Sequence, residues 1–168
     1  LDGQGVGTGH GVELTYFGGP SSPILRSGSN ATTAISLSGS TTSTSGYAGY
    51  QGNVTLQATG SGNIVVSGSA ASTSYSSIAA GSLNATAATG TISILGTGGS
   101  DVYIGGTLNS KGLFLVRSTS GINLSGATIG NSGGTDVVLW SRYNNESGSG
   151  RIYVTNSTIN TYGGDLWM

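Results

Sequence analysis

Six carboxylates and one histidine are the residues whose chemistry could support catalysis or ion binding. Three of the carboxylates, Asp101, Asp136 and Asp165, follow a Gly-Gly pair, directly or after one more residue, and precede an aliphatic residue. Acid–base catalysis would require several carboxylates to converge on one substrate. The repeated Gly-Gly context instead indicates a turn role, in which a carboxylate accepts hydrogen bonds from backbone N–H groups. We therefore expect no catalytic residues.

The spacing of these residues does not favour a metal site or a cofactor. His10 is the single histidine, and the chain has no cysteine, so the usual ligand set for zinc or iron is missing. Calcium-binding nonapeptide repeats would place an Asp every nine residues after Gly-Gly-x-Gly-x. Here Asp101, Asp136 and Asp165 lie 35 and 29 residues apart. We expect the protein to bind no metal and no cofactor.

Three aromatic residues could form a ligand-binding surface. Tyr103, Tyr153 and Trp167 each stand in the middle of an apolar, any, apolar triplet, where strand alternation turns the middle side chain outward. Aligned along one face, they would form a strip on which sugar rings could stack. The alternative is stacking between neighbouring strands that only stiffens the protein, and this alternative is favoured.

Asn145 is the best candidate for glycosylation among the Asn-x-Ser/Thr motifs, since it falls in a tract from Arg142 to Gly150 that we interpret as an outward loop.

The elements that must position these residues are short strands. The triplets recur along the chain, each followed by a turn of small residues, and none has helical periodicity. They include Ile35–Leu37, Val54–Leu56, Ile64–Val66, Ile92–Ile94, Val102–Ile104, Ile122–Leu124, Val137–Leu139, Ile152–Val154 and Leu166–Met168.

The C-terminal third contains an internal repeat. Residues 121–139 match residues 151–168 at an offset of 30 when Thr135 is treated as an insertion. The apolar positions Ile122, Leu124, Ile129, Val137 and Leu139 then align with Ile152, Val154, Ile159, Leu166 and Met168. Repeats of 20 to 50 residues are typical of solenoids, in which stacked coils bury a stripe that one coil cannot bury alone.

These patterns predict an all-β fold, a right-handed parallel β-helix with about 20–30 residues per coil. We expect irregular N-terminal coils or a cap over residues 1–50, and a regular β-helix over 51–168 that is a segment of a longer protein. A hairpin-built sandwich is disfavoured because the one Asn-Gly or Asp-Gly turn is Asp2-Gly3, at the N-terminus. A disordered linker is the remaining alternative.

The composition of the chain limits the classes of partner that we expect. Charged residues make up 7% of the chain, and the formal net charge is −1, with no run of Lys or Arg. Nucleic acid is therefore not an expected partner. No apolar run reaches the roughly 18 residues that a membrane span needs, so no span is expected.

Several phrases resemble the repeats of filamentous-haemagglutinin-like exoproteins of two-partner secretion and related surface proteins. They are Gly-Gly-Thr-Asp-Val-Val-Leu-Trp-Ser (133–141), Asn-Ser-Thr-Ile-Asn-Thr-Tyr-Gly-Gly-Asp-Leu-Trp-Met (156–168) and Gly-Asn-Val-Thr-Leu-Gln-Ala (52–58). The resemblance implies a β-helical shaft in an extracellular or bacterial cell-surface location, acting in adhesion or biofilm formation. The secretion domain of that family is not recognisable in this chain.

We therefore expect a structural or adhesive shaft segment that is not an enzyme and that contacts glycans or proteins of host or neighbouring cells. Two alternatives stay open. The first is the subunit of an extracellular fibre that associates end to end, and the second is a carbohydrate-active β-helix enzyme.

Overall fold

A computed structural model describes residues 1–5, 9–14, 22–44, 48–144 and 150–168, and this part of the chain contains strands and no helix. The strands are β1 (Asp2–Gly5), β2 (Val12–Leu14), β3 (Ile24–Ser27), β4 (Thr33–Thr41), β5 (Tyr50–Ala58), β6 (Asn63–Ala70), β7 (Ile78–Ala87), β8 (Ile92–Gly98), β9 (Asp101–Ser110), β10 (Phe114–Ser118), β11 (Gly121–Asn131), β12 (Val137–Ser141), β13 (Ile152–Thr155), β14 (Thr158–Asn160) and β15 (Leu166–Trp167). No membrane-spanning helix is found among these residues.

The strands alternate along the chain between two parallel sheets, as in a β-helix. The first sheet has the order β1-β4-β6-β8-β10-β12-β15. The second sheet has the order β13-β11-β9-β7-β5-β2, with β14 paired to β11 and β3 paired to β5. Every strand pair is parallel, so each coil hydrogen-bonds to the coils before and after it.

Aliphatic side chains form the core because equivalent positions of successive coils stack directly. In the first sheet, Ile35, Ile64, Ile92, Phe114 and Val137 are register partners in turn, and all are buried. In the second sheet the corresponding row is Tyr50, Ile78, Val102 and Ile122. The expectation for the triplets is therefore confirmed. In every triplet from Ile35–Leu37 to Val137–Leu139, the first and third side chains face the core.

The pairing of β7, β9 and β11 in the second sheet shifts register near the middle of the strands, an irregularity of the kind that bends a strand. The register of β9 and β11 shifts between Leu124 and Ala127, where Gly106 and Gly126 have φ of 95° and 64°. Side chains with a Cβ rarely adopt this backbone conformation, so glycine is favoured at the register shift. In the next coil Asn156, with φ of 49°, lies between β13 and β14, which pair with the two halves of β11.

The 30-residue repeat predicted over the C-terminal third is confirmed by the pairing. Ile122 pairs with Ile152, Ile129 with Ile159 and Val137 with Leu166. Coil length varies, from 20 residues between Val102 and Ile122 to 38 between Val12 and Tyr50. Ile35 and Val54 are 19 residues apart, but this spacing is not a coil length, because the two residues lie in different sheets. The residue that stacks on Ile35 in the next coil is Ile64.

The final coil exposes side chains that point into the core in earlier coils. Val154, Leu166 and Met168 are exposed, and Ile152 and Ile159 are half-buried against the core. At the other end, strands β1 to β4, within residues 1–50, belong to the same two sheets as the later strands.

Candidate functional site

Two of the acidic residues singled out by their Gly-Gly context, Asp101 and Asp136, accept hydrogen bonds from a neighbouring coil. One Asp136 carboxylate oxygen accepts a hydrogen bond from the Asp165 backbone N–H at 3.0 Å, which links two coils and not the residues of one turn. The other oxygen accepts from Trp167 Nε1 at 3.2 Å. Asp101 lies on the second sheet, where it accepts hydrogen bonds from the hydroxyls of Ser76 and Ser100.

These carboxylates do not converge on a common point. Within the described ranges, no group of three or more His, Cys, Asp or Glu side chains is placed to hold a metal ion. His10 accepts a hydrogen bond at Nδ1 from the Ala48 backbone N–H at 3.1 Å, which ties the first coil to the segment before β5.

Tyr103, Tyr153 and Trp167, the three residues of the hypothetical aromatic strip, do not lie on one face. Tyr103 and Tyr153 lie on the second sheet, on either side of Asn123, whereas Trp167 pairs with Val138 on the first sheet. The middle residue of a triplet faces outward in both sheets, but its sequence position does not tell which sheet it joins. The hypothesis of one aromatic face, which the sequence already disfavoured, is therefore rejected. Asn145 lies outside the described residues.

A different aromatic cluster lies on the outer face of the first sheet near its C-terminal strands. We call it the aromatic patch, and it consists of Arg117, Leu115, Val138, Trp140, Tyr143 and Trp167. Arg117 is the register partner of Trp140, and Leu115, Val138 and Trp167 are partners in the adjacent outward row. Trp140 and Trp167 are 52% and 56% exposed, so the two indole rings face solvent.

The turn after β12 brings Tyr143 into the aromatic patch. The Tyr143 backbone N–H donates to the Ser118 carbonyl at 3.2 Å, and Arg142 before it has a φ of 53°. This turn places the Tyr143 ring 6.3 Å from the Trp140 ring, edge to face at 72°. The guanidinium carbon of Arg117 lies 5.5 Å from the centroid of the Tyr143 ring, a cation–π distance.

The aromatic patch ends a gradient along the outer face of the first sheet. One outward row runs from Ser38 through Ser67 and Leu95 to Arg117 and Trp140. A shallow groove of about 150 Å³ at the serine end is lined by Ser38, Gly39, Ser40, Ser67, Gly68, Ser69, Leu95 and Thr97. Hydroxyl groups thus predominate on the N-terminal coils of this face, with Val65 between Ser36 and Ser93, and apolar and aromatic groups predominate on the C-terminal coils.

Sequence reasoning missed Trp140 and Tyr143. Continued alternation beyond Leu139 would have indicated that Trp140 faces outward. Tyr143 gave no such signal, because its position depends on the left-handed backbone of Arg142.

No family model matches this chain, and no curated protein or solved structure was found to be similar to it.

Proposed function

We propose that this chain is a shaft segment of a secreted bacterial surface protein of the filamentous-haemagglutinin-like type. In this role it mediates adhesion or builds extracellular matrix through repetitive contacts along its length, without catalysing a reaction. The proposal includes a location outside the cell or on the bacterial surface.

The observation that carries the proposal is the stacking of outward side chains in rows. Because the register of the first sheet is continuous from Ile35 on β4 to Gly98 on β8, each coil repeats the positions of the coil before it. Ser38 and Ser40 on β4 are thus followed by Ser67 and Ser69 on β6, and Ser69 is followed by Thr97 on β8. A surface of repeated hydroxyls offers many similar weak contacts, and such contacts combine through avidity.

The core supports a role in extension. Its large side chains, among them Leu56, Leu83 and Ile104, are fully buried in one continuous cluster that follows the stacking direction. A core of this kind lengthens by adding coils and does not need a separate globular centre. The phrases at 133–141 and 156–168, which resemble exoprotein repeats, support the same assignment.

Retention of protein-coated beads tests the proposal. Beads carrying this chain at graded densities are passed under flow over bacterial and epithelial cell layers. Multivalent adhesion predicts retention that rises more steeply than linearly with density. A Ser38→Ala, Ser67→Ala, Ser69→Ala variant should lower retention only partly, because each hydroxyl contributes little. Retention proportional to density, or none on any cell layer, would contradict the proposal.

The exposed side chains of the final coil favour one alternative, assembly into a fibre. In that arrangement the first coil of another copy covers Val154, Leu166 and Met168. Analytical ultracentrifugation over a hundredfold concentration range tests it. Growing species that disappear in a Val154→Glu variant support a fibre, and a constant monomer excludes it.

A further inference from the structure

We infer that the aromatic patch binds an acidic saccharide, with a pyranose ring stacked on Trp140 and the sugar carboxylate paired with Arg117. The inference builds on the proposed function, since it assigns one specific contact to the shaft surface.

Among the residues that the structure describes, no carboxylate forms an ion pair with Arg117. Its side chain is half-buried, and its Nε atom is fully buried without a hydrogen-bond partner in the described part of the chain. The Arg117 guanidinium lies over the face of the Tyr143 ring. Burial of the Nε atom without a hydrogen-bond partner is unfavourable, whereas the rest of the half-buried side chain can reach a ligand at the surface. The planar N–H groups of a guanidinium match a carboxylate in a two-point hydrogen bond, so a bound carboxylate would supply a partner for this charge.

Trp140 supplies a ring surface beside this charge. Its indole is half-exposed and is held at one side by the edge-to-face contact with Tyr143. Because Trp140 and Arg117 are register partners on adjacent strands, their Cα atoms are about 5 Å apart. The C–H face of a pyranose is apolar and packs on an aromatic ring, whose face carries negative charge. A sugar bearing a carboxylate can use both groups together.

The size of the patch distinguishes a saccharide from a protein partner. The patch spans the three strands β10, β12 and β15 and two outward rows, which is roughly 10 Å by 7 Å at strand spacing. A stable protein interface covers about 800 Å² on each partner, several times more than this patch offers. One or two sugar rings match its dimensions.

Tryptophan fluorescence reports on this site directly, since Trp140 and Trp167 are the two tryptophans of the chain. A Trp167→Phe protein leaves Trp140 as the reporter. Trigalacturonate and sialyllactose are titrated as two sources of a carboxylated sugar, against maltotriose and lactose as uncharged counterparts. We expect a saturable change in emission with at least one acidic sugar, weakened by added salt, and no change with the uncharged sugars.

Variants then show which side chains contact the sugar. Calorimetry measures the affinity of each variant for the acidic sugar, after circular dichroism confirms that the variant is folded. Arg117→Gln should weaken binding by about tenfold or more, and Arg117→Lys should weaken it less, because the charge is kept while the planar fork is lost. Trp140→Ala should abolish binding. Tyr153→Ala, an equally exposed tyrosine on the other sheet, is the matched control and should bind normally.

Three results would overturn the inference: no response to either acidic sugar, equal response to the uncharged sugars, or equal loss in Tyr153→Ala. Bead retention separates this failure from failure of the shaft proposal. Density-dependent retention without sugar binding in solution rejects the site alone, whereas sugar binding without retention rejects the adhesive shaft and keeps the site.

Discussion

The hydroxyl of Tyr50 is buried in the core at 0% exposure and has no hydrogen-bond partner among the described residues. Tyr50 stacks on Ile78, in the row that continues with Val102 and Ile122. A buried hydroxyl without a partner loses its hydration and gains nothing in return. The hydroxyl of Tyr50 therefore weakens the fold, while its buried ring contributes to the core.

We predict that Tyr50→Phe raises the free energy of unfolding by about 1–2 kcal/mol, because it removes the unpaired hydroxyl and keeps the ring. Urea denaturation followed by circular dichroism measures the change. Tyr103→Phe, at a half-buried position on the outer face of the second sheet, serves as the control and should stay within about 0.5 kcal/mol of the wild type. A Tyr50→Phe protein less stable than the wild type would show that the hydroxyl is satisfied.

The pH dependence of stability gives a second measurement on the same residue. Burial raises the pKa of Tyr50 above its ordinary value of about 10. Above pH 10 the unfolded chain releases this proton while the folded protein retains it, so stability falls as pH rises. The Tyr50→Phe protein should lack this component. Equal slopes between pH 9.5 and 11 in the two proteins would indicate that Tyr50 ionises normally.

At the scale of the element, a row of glycines determines how closely the two sheets approach. Gly3, Gly39, Gly68 and Gly96 are register partners on successive strands of the first sheet. A Cβ added at Gly68 would lie 2.2 Å from the Ser77 carbonyl oxygen, just before β7 begins. Any larger residue would therefore push the end of a first-sheet strand away from the start of the next second-sheet strand.

Gly68→Ala should lower the free energy of unfolding by about 1–3 kcal/mol, because the new methyl group meets a backbone atom that cannot move aside alone. Gly81→Ala is the matched control, since its Cβ would meet nothing closer than Asn53 Oδ1 at 3.6 Å. Gly81→Ala should change stability by less than about 0.5 kcal/mol. Thermal melts of both variants test the pair, and equal losses would mean that the glycine row has no steric role.

Strand positions were predictable from sequence because alternation is a local property. The triplets at Ile92–Ile94 and Val102–Ile104 lie within β8 and β9 with their outer residues buried. The sheet that each strand joins was not predictable, because turn geometry decides it. Spacing alone consequently does not separate Tyr103, on the second sheet, from Trp167, on the first. The aromatic patch depends further on the backbone of Arg142, which no spacing in the sequence encodes.

At the scale of the whole molecule, stability is distributed along a stack in which each coil contacts its neighbours. Ile92 is fully buried between Ile64 and Phe114, so coils on both sides depend on it. Ile159, in the final coil, pairs with Ile129 and is half-buried. Interior coils of such a stack have two interfaces, and a terminal coil has one.

Ile92→Ala should therefore destabilise the protein by about 2–5 kcal/mol, the usual range for emptying a packed core position. We expect Ile159→Ala to cost less than half as much and to speed hydrogen exchange only in β13 to β15. Urea denaturation and exchange mass spectrometry distinguish the two effects. Similar losses in both variants would indicate that the molecule unfolds as one unit, without independent coils.

The parallel pairing of every coil with the next also determines how the protein responds to tension. Hydrogen bonds between coils run along the stacking direction, so a pull on the two chain termini acts on one coil boundary at a time. Detaching the coil from Ile92 to Phe114 releases about 70–80 Å of extended chain. Successive ruptures would let the protein lengthen under a nearly constant force, and its attachment points would be spared a sudden rise in stress.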